Sequence, residues 1–281
     1  MSEIDLKTLR MRVETVDNIP TIPGVLKKLL TMLENPKLSL NVLSNFISGD
    51  PALSSRVLRI VNSPLYGFPG RISSVSQAVV LLGINAIKGL LLGVSVFELM
   101  KESMVGLWEH SLGCACTARI IAKKKGLKEI EDASIAGLIH DIGKVILILQ
   151  CNAEYDKALQ DAKHNNMLIL DAEKKYFYAT HADAGSWITQ KWNFPRILVE
   201  IIEYHHKPNF SKYFPVETAI VHLADIMVRA KGYGFAGDSF VPPVDKTAWE
   251  LLALSDKDIL DTYTELEDLI RSIGDISIDS L

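Results

Sequence analysis

Gly137-Leu138-Ile139-His140-Asp141-Ile142-Gly143-Lys144 sits inside a nearly unbroken apolar run from Ile130 to Leu149. A run that is apolar all round predicts a deeply buried helix. His140 and Asp141 are neighbours, about 100° apart on a helix, so both reach one site from the same turn. Working outward, the same helical grammar recurs. Ser39 reads as an N-cap for 40–47, and Asp50-Pro51 as a cap followed by proline at the first helical position. Asn62-Ser63-Pro64 ends that helix. Ser74 or Ser76 opens the next, and Gly83 closes it. Helices then follow from Ile84 to Met100, Val105 to Lys125 and Ile130 to Leu149. Alternating strand patterns bounded by hairpin turns are absent, so the expected fold class is all-α.

Polar residues at the ends of apolar segments carry the chemical signal. Five of the seven histidines, His110, His140, His181, His205 and His206, occupy such places. In 195–206, proline starts a helix and Lys207-Pro208 stops it, so His205 and His206 continue its buried face. His110 continues a stripe with Leu107, Cys114, Thr117 and Ile121. Asp225 lies in a helix apolar on nearly every side, where an unmatched carboxylate costs several kcal/mol. Neutral imidazoles and carboxylates converging in a low-dielectric pocket are what a divalent metal requires. One inward histidine is more often a hydrogen-bonded core residue; His222, one turn before Asp225, reads as orienting it, and His164 as solvent-facing. Cys114 and Cys116 are soft-ligand types, but Cys-x-Cys on one helix points the sulfurs apart, and they read as core or helix-contact residues.

The 281 residues carry a net charge of −4, 48% hydrophobic and 23% charged residues. That balance supports a packed core and leaves no electrostatic footprint for nucleic acid. Three cysteines, Cys114, Cys116 and Cys151, make no disulfide framework. No signal peptide is visible at the N-terminus, and no apolar stretch approaches the ~20 residues of a membrane span, so a cytoplasmic protein without a membrane partner is expected. A soft boundary near 101–106 divides the chain into residues 1–104, a helical bundle subdomain, and 105–235, which holds every candidate ligand. Residues 236–281 follow as a glycine-rich loop and an acidic C-terminal helix starting near Ser255.

On these residues the chain resembles the HD superfamily, named for its His-Asp pair, and within it the HDOD family of bacterial signalling proteins. The N-terminal resemblance rests on Ile19-Pro20-Thr21-Ile22-Pro23, on Ser48 to Leu58, on Asn62-Ser63-Pro64 and on Ala78 to Gly83. The C-terminal part rests on Trp108-Glu109-His110-Ser111, Gly137 to Lys144, His181 to Gly185, Trp192 to Pro195, His205-His206-Lys207-Pro208 and His222-Leu223-Ala224-Asp225. The resemblance implies a helical N-terminal subdomain followed by an HD-type subdomain. It implies one or two divalent ions (iron, manganese or zinc) held by His110, His140, Asp141 and Asp225. His181, His205 and His206 would add the second ion, with Asp141 bridging. Lys144 matches the lysine that approaches the phosphate in catalytic relatives. Phosphodiesterases of the HD-GYP branch carry a Gly-Tyr-Pro motif after the paired histidines, absent here, and those with an extra metal carry a glutamate where this chain has Gly106.

Two readings follow from the resemblance. One is a regulatory protein with a retained metal-type site, acting through a signalling partner or a nucleotide. The other is a metal-dependent phosphohydrolase acting on a nucleotide or cyclic dinucleotide, with Asp141 and Lys144 in the catalytic machinery.

Overall fold

The computed structural model describes residues 5–15, 24–33, 35 and 37–274; among them no strand occurs and every element is helical. The Ile19 to Pro23 motif lies outside the described residues. The first elements are α1 (Leu6–Glu14), α2 (Gly24–Leu33), α3 (Leu40–Ser48), α4 (Pro51–Val61) and α5 (Val75–Ser103). There follow α6 (Leu107–Lys124), α7 (Ile130–Ile139), α8 (Ile142–Gln150), α9 (Asn152–His164) and α10 (Ile169–Phe177). The chain continues through α11 (His181–Lys191), α12 (Arg196–Tyr204), α13 (Pro215–Lys231), α14 (Lys246–Leu252) and α15 (Asp256–Gly274).

Side-chain caps start these helices where the sequence places them. Asp50 Oδ1 accepts from Leu53 N at 3.0 Å, with Pro51 at the first position, and Ser39 accepts from Val42 N. Ser74, not Ser76, caps α5, accepting from Gln77 N at 3.2 Å. Gly83 interrupts α5 with φ 74° and ψ 172°, a conformation that glycine reaches without steric cost. Ser255 and Asp258 form a reciprocal cap at the start of α15.

Helix α5 packs against α2, α3 and α4 and also against α6, α7 and α8. Its stretch Val75–Ser95 passes a length-and-composition test for crossing a membrane, but polar residues and the break at Gly83 interrupt it, and its most apolar window is 72% buried inside the fold. That burial marks a core helix. Helix α1 crosses the expected division of the chain: it packs on α8 and α11, and Lys191 Nζ donates to Glu14 O at 2.6 Å.

The expected continuous helix from Ile130 to Leu149 is two helices, broken at His140-Asp141. His140 keeps helical angles, and Asp141 turns out of them at φ −94° and ψ 12°. The reason is packing on both sides. Gly137 lets α7 lie backbone-to-backbone on α6, where a Cβ would come within 2.8 Å of Cys114 O. Gly143 lets α8 approach α11, where a Cβ would stand 1.9 Å from His181 O. One straight helix cannot make both close approaches, and the bend places His140 and Asp141 at the crossing.

Candidate metal centre

The seven sequence-predicted ligands come together in one buried cluster at the meeting of α6, the α7–α8 bend, α11, the end of α12 and α13. His110, His140, Asp141, His181, His205 and Asp225 are all buried, and only His206 retains partial exposure, 11% of its side chain. The donors fall into two groups. One joins His110, His140 and Asp225 with Cys114; the other joins Asp141, His181, His205 and His206. Within each group the ligand atoms lie within 4.8 Å of one another.

Asp141 faces both. Its Oδ2 lies 3.3 Å from His140 Nε2 and 3.6 Å from His110 Nε2. Its Oδ1 lies 3.1 Å from His181 Nε2 and 3.9 Å from His205 Nε2. Asp225 Oδ1 lies 3.2 Å from His110 Nε2, and Asp225 Oδ2 lies 3.9 Å from His206 Nδ1. Donors sharing an ion at metal–ligand distances of about 2.1 Å stand roughly 3.0–3.4 Å apart, which these separations approach.

The surrounding hydrogen bonds aim the lone pairs inward. His140 Nδ1 donates to Gly137 O at 2.8 Å, and His205 Nδ1 to Ile202 O at 2.7 Å. A neutral ring that donates from Nδ1 presents an unprotonated Nε2. His140 Nε2, His205 Nε2, Asp141 Oδ1 and Asp225 Oδ2 are buried with no hydrogen-bond partner. Four convergent acceptors without a donor are costly, and a cation satisfies all of them. The donor set therefore fits the divalent metal that the sequence led us to expect.

Titration behaviour fits as well. Burial alone would raise the Asp141 carboxyl, but His140 and Lys144 beside it hold it well below the usual range. Burial opposes ionisation of Asp225 too, and its bond to His110 prevails. Burial, reinforced by neighbouring imidazoles, pushes His205 and His206 well below the ordinary value. Burial likewise lowers His110. His181 is raised, because Glu173 and Asp141 outweigh its burial. Ionised carboxylates beside His110, His205 and His206, whose protonation burial disfavours, suit a metal.

Lys144 is fully buried, and its Nζ donates to Asp141 Oδ2 at 2.6 Å and to Ala236 O at 2.8 Å. The second bond ties it to a segment, residues 233–240, that closes over the cluster. Phe235 N donates to Gly106 O at 2.9 Å. Asp238 Oδ2 accepts from Ile169 N at 2.8 Å, and Asp238 Oδ1 pairs with Arg229 at 2.5 Å. Gly106 has φ 92°, and a Cβ there would come within 2.9 Å of Phe235. Backbone of Gly234 and Phe235 thus crosses at this position. A cavity of about 450 Å³ is lined by Leu159, Lys163, Phe235, Gly237, Asp238 and Phe240, and no candidate ligand lines it.

The HDOD domain family model matches residues 19–208. The chain belongs to the HDOD family. An HDOD domain protein of Geobacter sulfurreducens, a solved structure, is 26% identical, with a TM-score of 0.70 over 95% of each chain. A protein of Marinobacter aquaeolei VT8, provisionally described as a signal transduction protein, is 20% identical with a TM-score of 0.70 over 94% of this chain and 60% of its own; that likeness shows the fold alone. An uncharacterised protein of Treponema pallidum is 26% identical over 235 residues, 81% of this chain and 46% of the relative, so the HDOD chain spans about half the length of that protein. The family match ends before Asp225, which joins the cluster through the geometry of α13.

Three features of this HDOD chain differ from the sequence reading. His222 does not orient Asp225. Its Nδ1 donates to His205 O at 2.7 Å and its Nε2 accepts from Asp245 N at 2.9 Å, so it clamps the His205-His206 turn. Cys114 is a core and helix-contact residue, as expected, but its Sγ also reaches His110 Nε2, at 3.5 Å. Glu173 was missed. It is fully buried, accepts from His181 Nδ1 at 2.7 Å and from His181 N at 2.9 Å, and takes the Tyr155 hydroxyl at 2.9 Å. The signal was present, since Glu173 lies four residues from both Ile169 and Phe177 on the buried face of α10. His164 is exposed, as expected, at the end of α9.

Proposed function

We propose that this chain is a regulatory HDOD protein whose buried His/Asp cluster holds one or two divalent ions in a structural or sensory role, with output through a protein partner. One observation carries the reading: four buried acceptor atoms of the cluster have no hydrogen-bond partner, while Lys144 is bonded to Asp141 and to Ala236 O. The ions would be held by His110, His140 and Asp225 on one side and by His181, His205 and His206 on the other. Asp141, with Oδ2 toward the first group and Oδ1 toward the second, would offer an oxygen to either. A lysine that is to meet a substrate phosphate must be free to reach it, and here Lys144 neutralises Asp141 and fastens the covering segment.

A phosphohydrolase acting on a nucleotide or cyclic dinucleotide is the second reading, favoured by the placement of the two Asp141 oxygens between the two donor groups. Bound ions would act as Lewis acids on a phosphoryl oxygen. In that case Lys144 leaves Ala236 O when substrate enters, and its ammonium balances charge at the phosphate.

Elemental analysis of the purified protein beside His140→Ala and Asp141→Ala tests the shared premise. Divalent metal in the wild type, and its loss in both variants, is expected; near-zero metal in all three rejects the metal site. Incubation of the metal-loaded protein with nucleotides and cyclic dinucleotides separates the readings. Product above the Asp141→Ala background would overturn the non-catalytic role.

A further inference from the structure

Cys114 follows His110 by one turn of α6, so both side chains occupy one face of that helix. Its Sγ stands 3.5 Å from His110 Nε2. The sulfur, an imidazole nitrogen from each of His110 and His140, and a carboxylate oxygen of Asp225 all lie within 4.8 Å of one another, and all four residues are buried. With metal–sulfur and metal–nitrogen distances of about 2.3 and 2.1 Å, sulfur and nitrogen on one tetrahedral ion stand roughly 3.6 Å apart. The Cys114–His110 separation matches that value. An independent feature points the same way: His140 Nε2 is fully buried, has no hydrogen-bond partner, and belongs to this same group.

We propose that Cys114 is a metal ligand, binding as a thiolate to the ion held by His110, His140 and Asp225. The inference rests on the metal reading of the cluster. It makes the two halves of the centre chemically different. The Asp141, His181, His205 and His206 half offers only nitrogen and oxygen, whereas the Cys114 half offers one sulfur, two nitrogens and one oxygen. Thiolate ligation favours zinc or ferrous iron over manganese and magnesium. As the sulfur–metal bond forms, the thiol proton is released to solvent. Cys116 is also fully buried on α6 but belongs to neither donor group, which makes it the natural control.

Full-length protein produced in cobalt-supplemented medium provides the probe. We expect a near-ultraviolet thiolate-to-cobalt charge-transfer band in the wild type. The band should disappear in Cys114→Ser and remain in Cys116→Ser. Bound cobalt without the band in the wild type, or a band that survives Cys114→Ser, overturns Cys114 as a ligand and leaves the metal reading intact. Absence of cobalt from the wild type overturns both. If Cys114→Ser does not fold, X-ray absorption at the metal edge of the wild type decides: one sulfur at about 2.3 Å supports the proposal, and a shell of nitrogen and oxygen alone rejects it.

Discussion

Glu173 is the residue whose effect can be isolated most cleanly. It fixes the His181 ring through Nδ1 at 2.7 Å and is itself held by the Tyr155 hydroxyl at 2.9 Å. Carboxylates behind metal-bound histidines orient the ring and raise its basicity, and their loss typically lowers metal affinity 10–100-fold. Glu173→Gln retains the size and removes the charge, so we expect weakening within that range in a competitive chelator titration, with the helical circular-dichroism signal unchanged. An unaltered affinity would remove Glu173 from the metal centre. All seven metal-ligand candidates were legible in the sequence, because each breaks an apolar stripe. Glu173 breaks one too, but with no histidine beside it in the chain it looks like any misplaced acid. Its partner His181 is eight positions away and meets it only where α10 turns into α11.

Among the elements, the α7–α8 bend matters most for the site. Helix boundaries set by local chemistry, such as Asp50-Pro51 and Ser74, were readable because a cap and the backbone N–H that donates to it lie within three residues. The bend at Asp141 was not readable, because no proline or turn residue announces it. It arises from two backbone approaches, Gly137 on α6 and Gly143 on α11. Gly143→Ala would place a methyl 1.9 Å from His181 O and 2.7 Å from Gly185 N. Backbone cannot yield as a flexible side chain can, and we expect a loss of about 3 kcal/mol, measured by urea denaturation, together with loss of bound metal. Gly24→Ala, where nothing lies within 4 Å of the added Cβ, should leave the midpoint unchanged. Equal stability of the two variants would refute the packing explanation of the bend.

At the scale of the whole molecule, residues 233–240 decide what the centre can meet. The segment is fixed by Arg229, whose side chain is 6% exposed, and by Asp238, whose side chain is 1% exposed. Asp238 also holds the first backbone NH of α10. Removing one partner of a buried pair costs about 3–5 kcal/mol. Asp238→Asn should therefore loosen the cover while leaving every candidate ligand in place. We expect faster hydrogen exchange at residues 233–240 and faster extraction of metal by a chelator. Unchanged extraction with raised exchange would mean that ions leave by another route. The glycine-rich composition marked the part from residue 236 on as a loop in the sequence. Its role as a cover was invisible, because its contacts are with Gly106, Lys144, Ile169 and Arg229, residues far apart along the chain.

The sequence by itself determined the all-helical class, several helix starts and the inventory of histidines and aspartates, since periodicity and capping act over a few residues. Tertiary structure alone decided the broken helix at His140-Asp141, the two-sided placement of Asp141, the approach of Cys114 to His110 and the covering of Lys144. Each of these depends on distances between helices far apart in the chain. Those distances are set by where a glycine lets two backbones meet, which no local pattern encodes.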